Sequence, residues 1–448
     1  MREMVELLKV NSPIWVKSPT DEWCFIDRDG YNRNFSNANR LYNKSSTARF
    51  ESSKDCGVVP MTAIELIQNF LDPVKWMNMF PTIVTKARII EVLDTGNLGG
   101  SIQLMYEKVH ILSPLVGSRD FFFIRCCRQI DPTIWIMVDV SYDLFKEIQS
   151  GALPSHSWKF PSGCIIKEIG IGQSMVTWIE HVQVDDLNQV HHLYRDLFCR
   201  CQIYGAKRWI VTLQRMSERY NFSIGAIYPT RHDLEGVLTD PKGIKNVMQI
   251  SQRMVKSFCE VLSMKNQLDF PTSTQLNSRD RVSIRKNEEI TKSEGFIITA
   301  CTSIWLPLSF QIVFNFFKDY KTRPQPYVPH ENNMLILQES NIDEMGAFII
   351  YAPIDLQTTT SIINGDDAKE VSILPSGLII SPDGRLALNK DICENVSNGS
   401  ILTMGFQQLI CANNNSISHQ QHNLHQEHMR QRDTIQNLSS TALKSKQH

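Results

Sequence analysis

No C-x-x-C pair occurs among the eleven cysteines, which fall singly, as Cys126-Cys127 and as Cys199-x-Cys201. Zinc ribbons and thioredoxin-type redox sites, whose ligands pair two residues apart, are therefore not expected. There is no basic excess either: 46 Lys and Arg stand against 47 Asp and Glu. A chain-wide nucleic-acid surface normally shows as such an excess or as a basic stripe. The motifs G-x-x-x-x-G-K-[ST], G-x-S-x-G and H-E-x-x-H are absent, which removes the usual starting points for phosphate-loop, serine-hydrolase and zinc-protease chemistry. The N-terminus, MREMVELLKV, carries charges at positions 2, 3, 6 and 9 and lacks the apolar core of a signal peptide. An intracellular chain with reduced thiols is expected, so the N-x-S sequons at Asn43 and Asn398 carry no weight.

One uncharged run is long enough to span a bilayer: Phe296 to Phe317, twenty-two residues. Its first half is β-branched and aromatic. Its second half spaces Ile312, Val313, Phe316 and Phe317 along one side of a helix, with Pro307 between the halves. The run reads as strand, turn and helix, and no transmembrane segment is expected.

Most of what is present is strand. From Ala87 to about Val140 come ARIIEVL, IQLMYEKVHIL, RDFFFIRCCR and IWIMVDVS, separated by turn signals, and then PSGCIIKEI and MVTWIEHVQV. The connections are too short for helical crossovers, so the strands form an antiparallel meander. Before them, Thr62 to Phe70 reads as a short helix, and Pro73 can open a second. After them, Leu187, Val190, Leu197, Cys201, Tyr204, Leu213 and Met216 recur near the helical period, with Asp185-Asp186 as the expected caps. A sheet that curls around one long helix buries both, and leaves a cavity if it curls further than the helix fills.

A further helix starts at Asp240-Pro241, and residues 271–280 read as linker. The second set of strands repeats the first. IWIMVDVSYDL leads to Gly151 and then Pro161-Ser162-Gly163 before CII; AFIIYAPIDLQ leads to Gly365 and then Pro375-Ser376-Gly377 before LII. The same order with nearly the same spacing points to an internal duplication. The tail from Asn413 is polar and rich in His and Gln.

The stretch LVGSRDFFFIRC, Leu115 to Cys126, raises the functional question. In a strand Arg119, Phe121, Phe123 and Arg125 share one face. Glu107 shares a face with Met105, Val109 and Ile111. A buried arginine must be paired or hydrogen-bonded, because a lone desolvated charge is very costly. A lining of this kind suits an amphipathic molecule, its chain against the phenylalanines and its head group against the charges. A structural ion pair with no ligand is the competing reading. His181, Asp185, Asp186, His191 and His192 form the densest polar cluster, but caps explain the aspartates better than catalysis does. No catalytic residue, metal ligand or cofactor is assigned.

VGSRDFFFIRC, WIMVDVS, PSGCII, VTWIEHVQVDD and LYRDLFCRCQIYGAKRWIVTLQR resemble the START (steroidogenic-acute-regulatory-related lipid-transfer) domain. More narrowly they resemble its version in plant class IV homeodomain–leucine-zipper transcription factors. IITACTSIWLPLSFQIVFNFF, MLILQESNID and LPSGLII are similar to the START-adjacent region of that family. The resemblance covers roughly residues 1 to 412, and no homeodomain or sustained zipper heptad appears in the chain.

It implies an α+β architecture: a helix-grip START domain over 1–222, a connecting helix and linker over 223–280, a second, reduced helix-grip-like domain over 281–412, and the tail 413–448. It also implies a lipid- or sterol-binding regulatory factor related to transcription; the neutral charge and the absence of a recognition-helix motif give the expectation of no DNA-binding domain of its own and no direct DNA binding. The alternative is a protein-interaction module with a vestigial pocket that competes with full-length homeodomain–leucine-zipper factors. A sterol or phospholipid and proteins of that family are the implied partners. Nuclear placement follows from the resemblance alone, with the cytoplasm as the other option. The implied ligand-binding residues are Met105, Glu107, Arg119, Phe121, Phe123 and Arg125. By family position Glu107 and Arg125 form the acid–base pair of the cavity.

Overall fold

The structure is a computed structural model that describes residues 1–9, 13–17, 24–35, 48–96, 100–142, 157–186, 190–199, 203–224, 240–263, 268–270, 280–286, 295–319, 333–368, 371–385 and 399–411. The chain divides into two units. The first comprises Met1–Ile111, Val116–Val190 and Leu197–Ile227; the second comprises Leu112–Leu115, His191–Asp196 and Tyr228–His448.

The first unit begins with α1 (Arg2–Leu8), the strand pair β1 (Trp15–Lys17) and β2 (Cys24–Ile26), and α2 (Arg28–Asn34). Its main sheet contains β3 (Arg49–Val59), β4 (Val84–Asp94), β5 (Gly100–Val109), β6 (Arg119–Asp131), β7 (Ile134–Ser141), β9 (Ser162–Gly170) and β10 (Gln173–Val184). They lie in the antiparallel order β3-β10-β9-β7-β6-β5-β4, with β8 (Ser157–Lys159) on β10. The meander read from the turn signals is this sheet. Between β3 and β4 run α3 (Ala63–Leu71) and α4 (Pro73–Met79). Thr62 and Glu65 close a capping box on α3, and Asp72 caps α4 with Pro73 in its first turn.

The two faces of this sheet have different covers. Met4, Leu7, Ile14, Ile26 and Tyr31 of the N-terminal elements pack on Ile136, Val138 and Ile179. On the other face stand Met137, Asp139 and Trp178, opposite α3, α4 and the closing helix α6 (Ala206–Ser223). The closing helix starts later than its periodicity suggests. Between β10 and α6 come a 3₁₀ turn, His192–Tyr194, and the short α5 (Arg195–Cys199), and Gly205 stands at the N-cap of α6. Asp185-Asp186 lie well before α6 and do not cap it. Asp186 is a buried counter-ion instead, held by Arg49 and Arg119.

The second unit has one antiparallel sheet in the order β11-β12-β13-β17-β16-β15-β14. Its strands are β11 (Leu268–Phe270), β12 (Asp280–Lys286), β13 (Gly295–Leu306), β14 (Met334–Asp343), β15 (Gly346–Asp355), β16 (Ser376–Pro382) and β17 (Ser400–Cys411). The uncharged run is strand β13 followed by helix α8 (Phe310–Lys318), and no described helix is long and apolar enough to cross a membrane. α8 packs Val313, Phe314 and Phe317 on Ile349, Tyr351, Leu378 and Leu402. The opposite face holds Phe348, Ile350 and Ile379, covered by Met254, Phe258 and Leu262 of α7 (Pro241–Leu262). Burial on both sides explains why β15 is apolar almost throughout. It also gives α7 a different place from the one its sequence suggests. Within residues 223–280 it is no connector but a layer of the second unit's core.

The repeated PSG segments occupy equivalent places. β7, β9 and β10 lie side by side in one sheet as β15, β16 and β17 do in the other. Ser162 and Ser376 each open the middle strand, Gly163 faces Val138, and Gly377 faces Ile350. Between β15 and β16, α9 (Leu356–Ile363) is capped by Asp355; the matching Asp143 and Gly151 lie outside the described residues. Both glycines sit where a neighbouring backbone comes close. A Cβ on Gly163 would stand 2.3 Å from the Met137 carbonyl oxygen, at φ +127°, and one on Gly377 would stand 2.7 Å from that of Ile349. Gly163→Ala is expected to destabilise the first unit by about 1–3 kcal/mol. Urea unfolding measures it, and a change within 0.5 kcal/mol (roughly the scatter of surface substitutions) contradicts the close approach.

Candidate functional site

All six residues singled out in the sequence, Met105, Glu107, Arg119, Phe121, Phe123 and Arg125, are buried. Strand register places them on one face, with Met105 opposite Phe123, Glu107 opposite Phe121 and Gln103 opposite Arg125. The expected Glu107–Arg125 pair does not form. Along β6, Arg125 lies four residues from the position facing Glu107, roughly 13 Å at strand rise.

Arg125 instead faces Asp139 across β6 and β7 and binds it through two hydrogen bonds of 2.8 Å. Its third donor reaches the Phe70 carbonyl at 2.7 Å, at the end of α3. The guanidinium lies over the Trp76 ring, 4.1 Å from its centre. Burial acts to lower the Arg125 pKa, but the charge and hydrogen bonds of Asp139, with Glu107's charge, outweigh it and hold the pKa above the ordinary value.

Glu107 has a different cation. It pairs with Lys159 of β8 and accepts a hydrogen bond from Trp76 Nε1 at 3.2 Å. Lys159 also stands 3.9 Å from Asp139. Burial would lower the lysine's pKa, and the charges of Glu107, Glu180 and Asp139 outweigh that and raise it. Two cations and three carboxylates therefore share this interior.

These groups belong to one polar level of the sheet. Gln103 faces Arg125, Arg125 faces Asp139, and Asp139 faces Ser162. Since Ile179 faces Gly163, Glu180 falls beside Ser162, and Glu180 in turn faces Ser53. This belt crosses the sheet with every member buried. Around it the lining is aromatic: Trp178 stacks on Trp209 of α6 at 5.0 Å between ring centres, and Trp76, Phe70 and Phe80 complete the cluster.

Arg119 belongs to a separate network, six residues or roughly 20 Å along β6 from Arg125. Glu51 takes two of its hydrogen bonds at 2.7 Å and Asp186 a third at 2.7 Å. Arg49 bridges the same two carboxylates at 2.7 and 3.0 Å. The Tyr204 ring covers Arg119 at 3.7 Å. Two cations match two anions here, a closed arrangement.

Residues 1–219 match the START domain family, and residues 240–326 and 324–445 match the family described as PDF2-like, C-terminal domain. The chain is a START domain followed by a PDF2-like C-terminal domain. Homeobox-leucine zipper protein HDG11 of Arabidopsis thaliana is 36% identical over 92% of this chain and 61% of its own length. Homeobox-leucine zipper protein HDG8 of the same plant is 38% identical over 92% of this chain and 63% of its own length. The chain thus corresponds to the START-containing part of these plant homeobox-leucine zipper proteins, and spans about three-fifths of the length of the curated relatives it matches. Among solved structures, the human StarD13 (DLC2) lipid transfer and protein localization domain aligns with 43% of this chain and 98% of its own, at 13% identity and a TM-score of 0.28.

Within the START domain the sequence reading missed the partners. Glu51 lies in a polar, Asn- and Ser-rich region that gave no strand signal, yet it is the third residue of β3. Asp139 could have been found, because a carboxylate on the Met137 face of an apolar strand needs a cation opposite. Lys159 and Glu180 carry no such mark, since β8 is only three residues long and β10 mixes polar and apolar positions throughout.

Two buried groups set a pH dependence. Burial first, then Glu107 and Asp139, push Glu180 up to about 7 against the opposing pull of Lys159 and Trp178. Burial pushes His181, on the outer face against Tyr31 and Phe160, down to about 3. Between their ordinary values and these, the folded state holds an extra proton on Glu180 and lacks one on His181. The first makes stability fall with rising pH and the second makes it rise, so the two oppose each other between about pH 4.5 and 6.5. Glu180→Gln is expected to leave the His181 slope alone, with stability rising by close to one proton equivalent across that window. Urea titrations at several pH values check it, and a slope no different from that of the parent protein contradicts the assignment.

Proposed function

We propose that the START domain binds one amphipathic lipid, a sterol or a phospholipid, in its interior, and that the chain is a lipid-responsive regulatory factor of transcription acting in the nucleus without direct DNA binding. The observation that carries this reading is the polar belt set across an otherwise apolar and aromatic interior. A fold stabilised by packing alone gains little from buried charges, since well-packed apolar residues of the same volume are often as stable. A head group needs such charges, and a hydrocarbon chain needs the rings of Phe121, Phe123 and Trp178. Met105, Glu107, Arg125 and the two phenylalanines are the proposed contacts near the belt, and Arg119 marks the far end of the interior.

The test is organic extraction of the purified chain after incubation with a plant lipid extract, followed by mass spectrometry. A lipid retained in near-stoichiometric amount is the expected result, and recovery no greater than on an unrelated protein contradicts it. The closed pairing of Arg119 and Arg49 with Glu51 and Asp186 favours a second reading, an interaction module that competes with full-length homeobox-leucine zipper proteins. That reading predicts unchanged capture of such a relative by the lipid-stripped chain.

A further inference from the structure

Resting on the lipid-binding reading, we infer that the START interior selects ligands whose head group donates hydrogen bonds, an ammonium above all, over ligands ending in an anion, with Glu180 as the specificity-determining residue. The belt is fully paired in its middle and open at both ends. Arg125 and Asp139 satisfy each other, and Ser162 exchanges hydrogen bonds with the backbone of His181 at 2.9 and 3.0 Å. At one end Gln103 is 8% exposed and its Oε1 accepts no hydrogen bond among the described residues. At the other end Glu180, also 8% exposed, accepts one hydrogen bond from Trp178 Nε1 at 2.9 Å. Among the described residues it forms no ion pair, because Lys159 is engaged by Glu107.

Gln103 Oε1 is an acceptor without a donor, and Glu180 accepts only one. An amide oxygen out of water is costly unless something supplies a donor, and a carboxyl with a single donor can accept more. With Glu180 ionised, the carboxylates Glu107, Asp139 and Glu180 outnumber Arg125 and Lys159; Glu180 titrates at about 7, and an approaching cation favours its ionised form. An entering phosphate or carboxylate without its own cation would add to that excess. An ammonium or hydroxyl group would complete it, and a cation also gains from the aromatic faces around the belt.

The experiment uses four probes with one C18 chain, oleylamine, oleyl alcohol, oleic acid and methyl oleate, titrated into the full chain while tryptophan fluorescence is read. Oleylamine is expected to bind at least about tenfold more tightly than oleic acid, as charge-assisted hydrogen bonds predict, with the alcohol between them. Glu180→Gln, which turns one acceptor into a donor, should reduce the amine-to-acid ratio toward unity while leaving methyl oleate unchanged. Gln103→Leu, which removes the other acceptor without touching a charge, should weaken the alcohol by a few-fold and serves if the Glu180 variant does not fold. Equal affinity for amine and acid, or a ratio unmoved by the folded variants, overturns the selectivity while lipid binding stands. Failure of all four probes to bind overturns both.

Discussion

Arg125→Leu is expected to lower the stability of the START domain by about 3–5 kcal/mol, the range for removing one partner of a buried ion pair. The change leaves Asp139 with no cation nearer than Lys159 at 3.9 Å, and leaves the Phe70 carbonyl without its donor. Leucine also gives up the contact over Trp76. Urea unfolding measures the loss. The double variant Arg125→Leu with Asp139→Leu separates charge from packing, because replacing both partners by apolar groups is often neutral or stabilising. Recovery of most of the lost stability in the double variant is the expected result. A single-variant cost below about 1 kcal/mol, the level of an exposed pair, would show that Arg125 reaches water and that the inward register of β6 is wrong.

The second large effect is expected at Arg119. Arg119→Met keeps much of the side-chain volume under the Tyr204 ring but leaves Glu51 and Asp186 with Arg49 as their remaining cation. A loss of about 3–5 kcal/mol is again expected near neutral pH. Here pH supplies the diagnosis. Acid neutralises carboxylates left short of a cation, so a deficit that comes from charge should shrink on acidification. Stability of parent and variant measured from pH 7 down to pH 4 reads this directly. A deficit constant across that range would assign the loss to packing on Tyr204, not to charge.

The two networks also show where sequence reasoning succeeds and where it stops. Alternation along β6 put Arg119, Phe121, Phe123 and Arg125 on one face, and that face is buried, because a period of two is local and survives any arrangement of neighbours. Pairing is not local. Glu107 and Arg125 share that face, yet the register of β5 against β6 separates them by four residues, and register depends on turns and bulges. The Asp185-Asp186 pair looked like a helix cap because helical periodicity begins just beyond it. The structure places Asp186 under two arginines and starts the long helix at Ala206. In the second unit, α7 carries the apolar stripe of any packed helix, and nothing in that stripe says which sheet it covers. The PSG repeat was legible because close backbone approach admits only glycine at Gly163 and Gly377.

On the proposed function, a lipid chain lies inside the START domain against its aromatic lining. Trp76, Trp178 and Trp209 cluster there, with 5.5 Å between the ring centres of Trp76 and Trp209 and 5.0 Å between those of Trp178 and Trp209. Lipids brominated on the acyl chain quench tryptophan only at close range, so they report the location of a chain as well as its binding. Titration of the full protein with a chain-brominated lysophospholipid is predicted to quench this cluster, and replacing all three tryptophans with phenylalanine should remove most of the quenching while binding persists. Quenching that survives the triple replacement, or binding with no quenching at all, would place the lipid outside the interior and overturn its binding there.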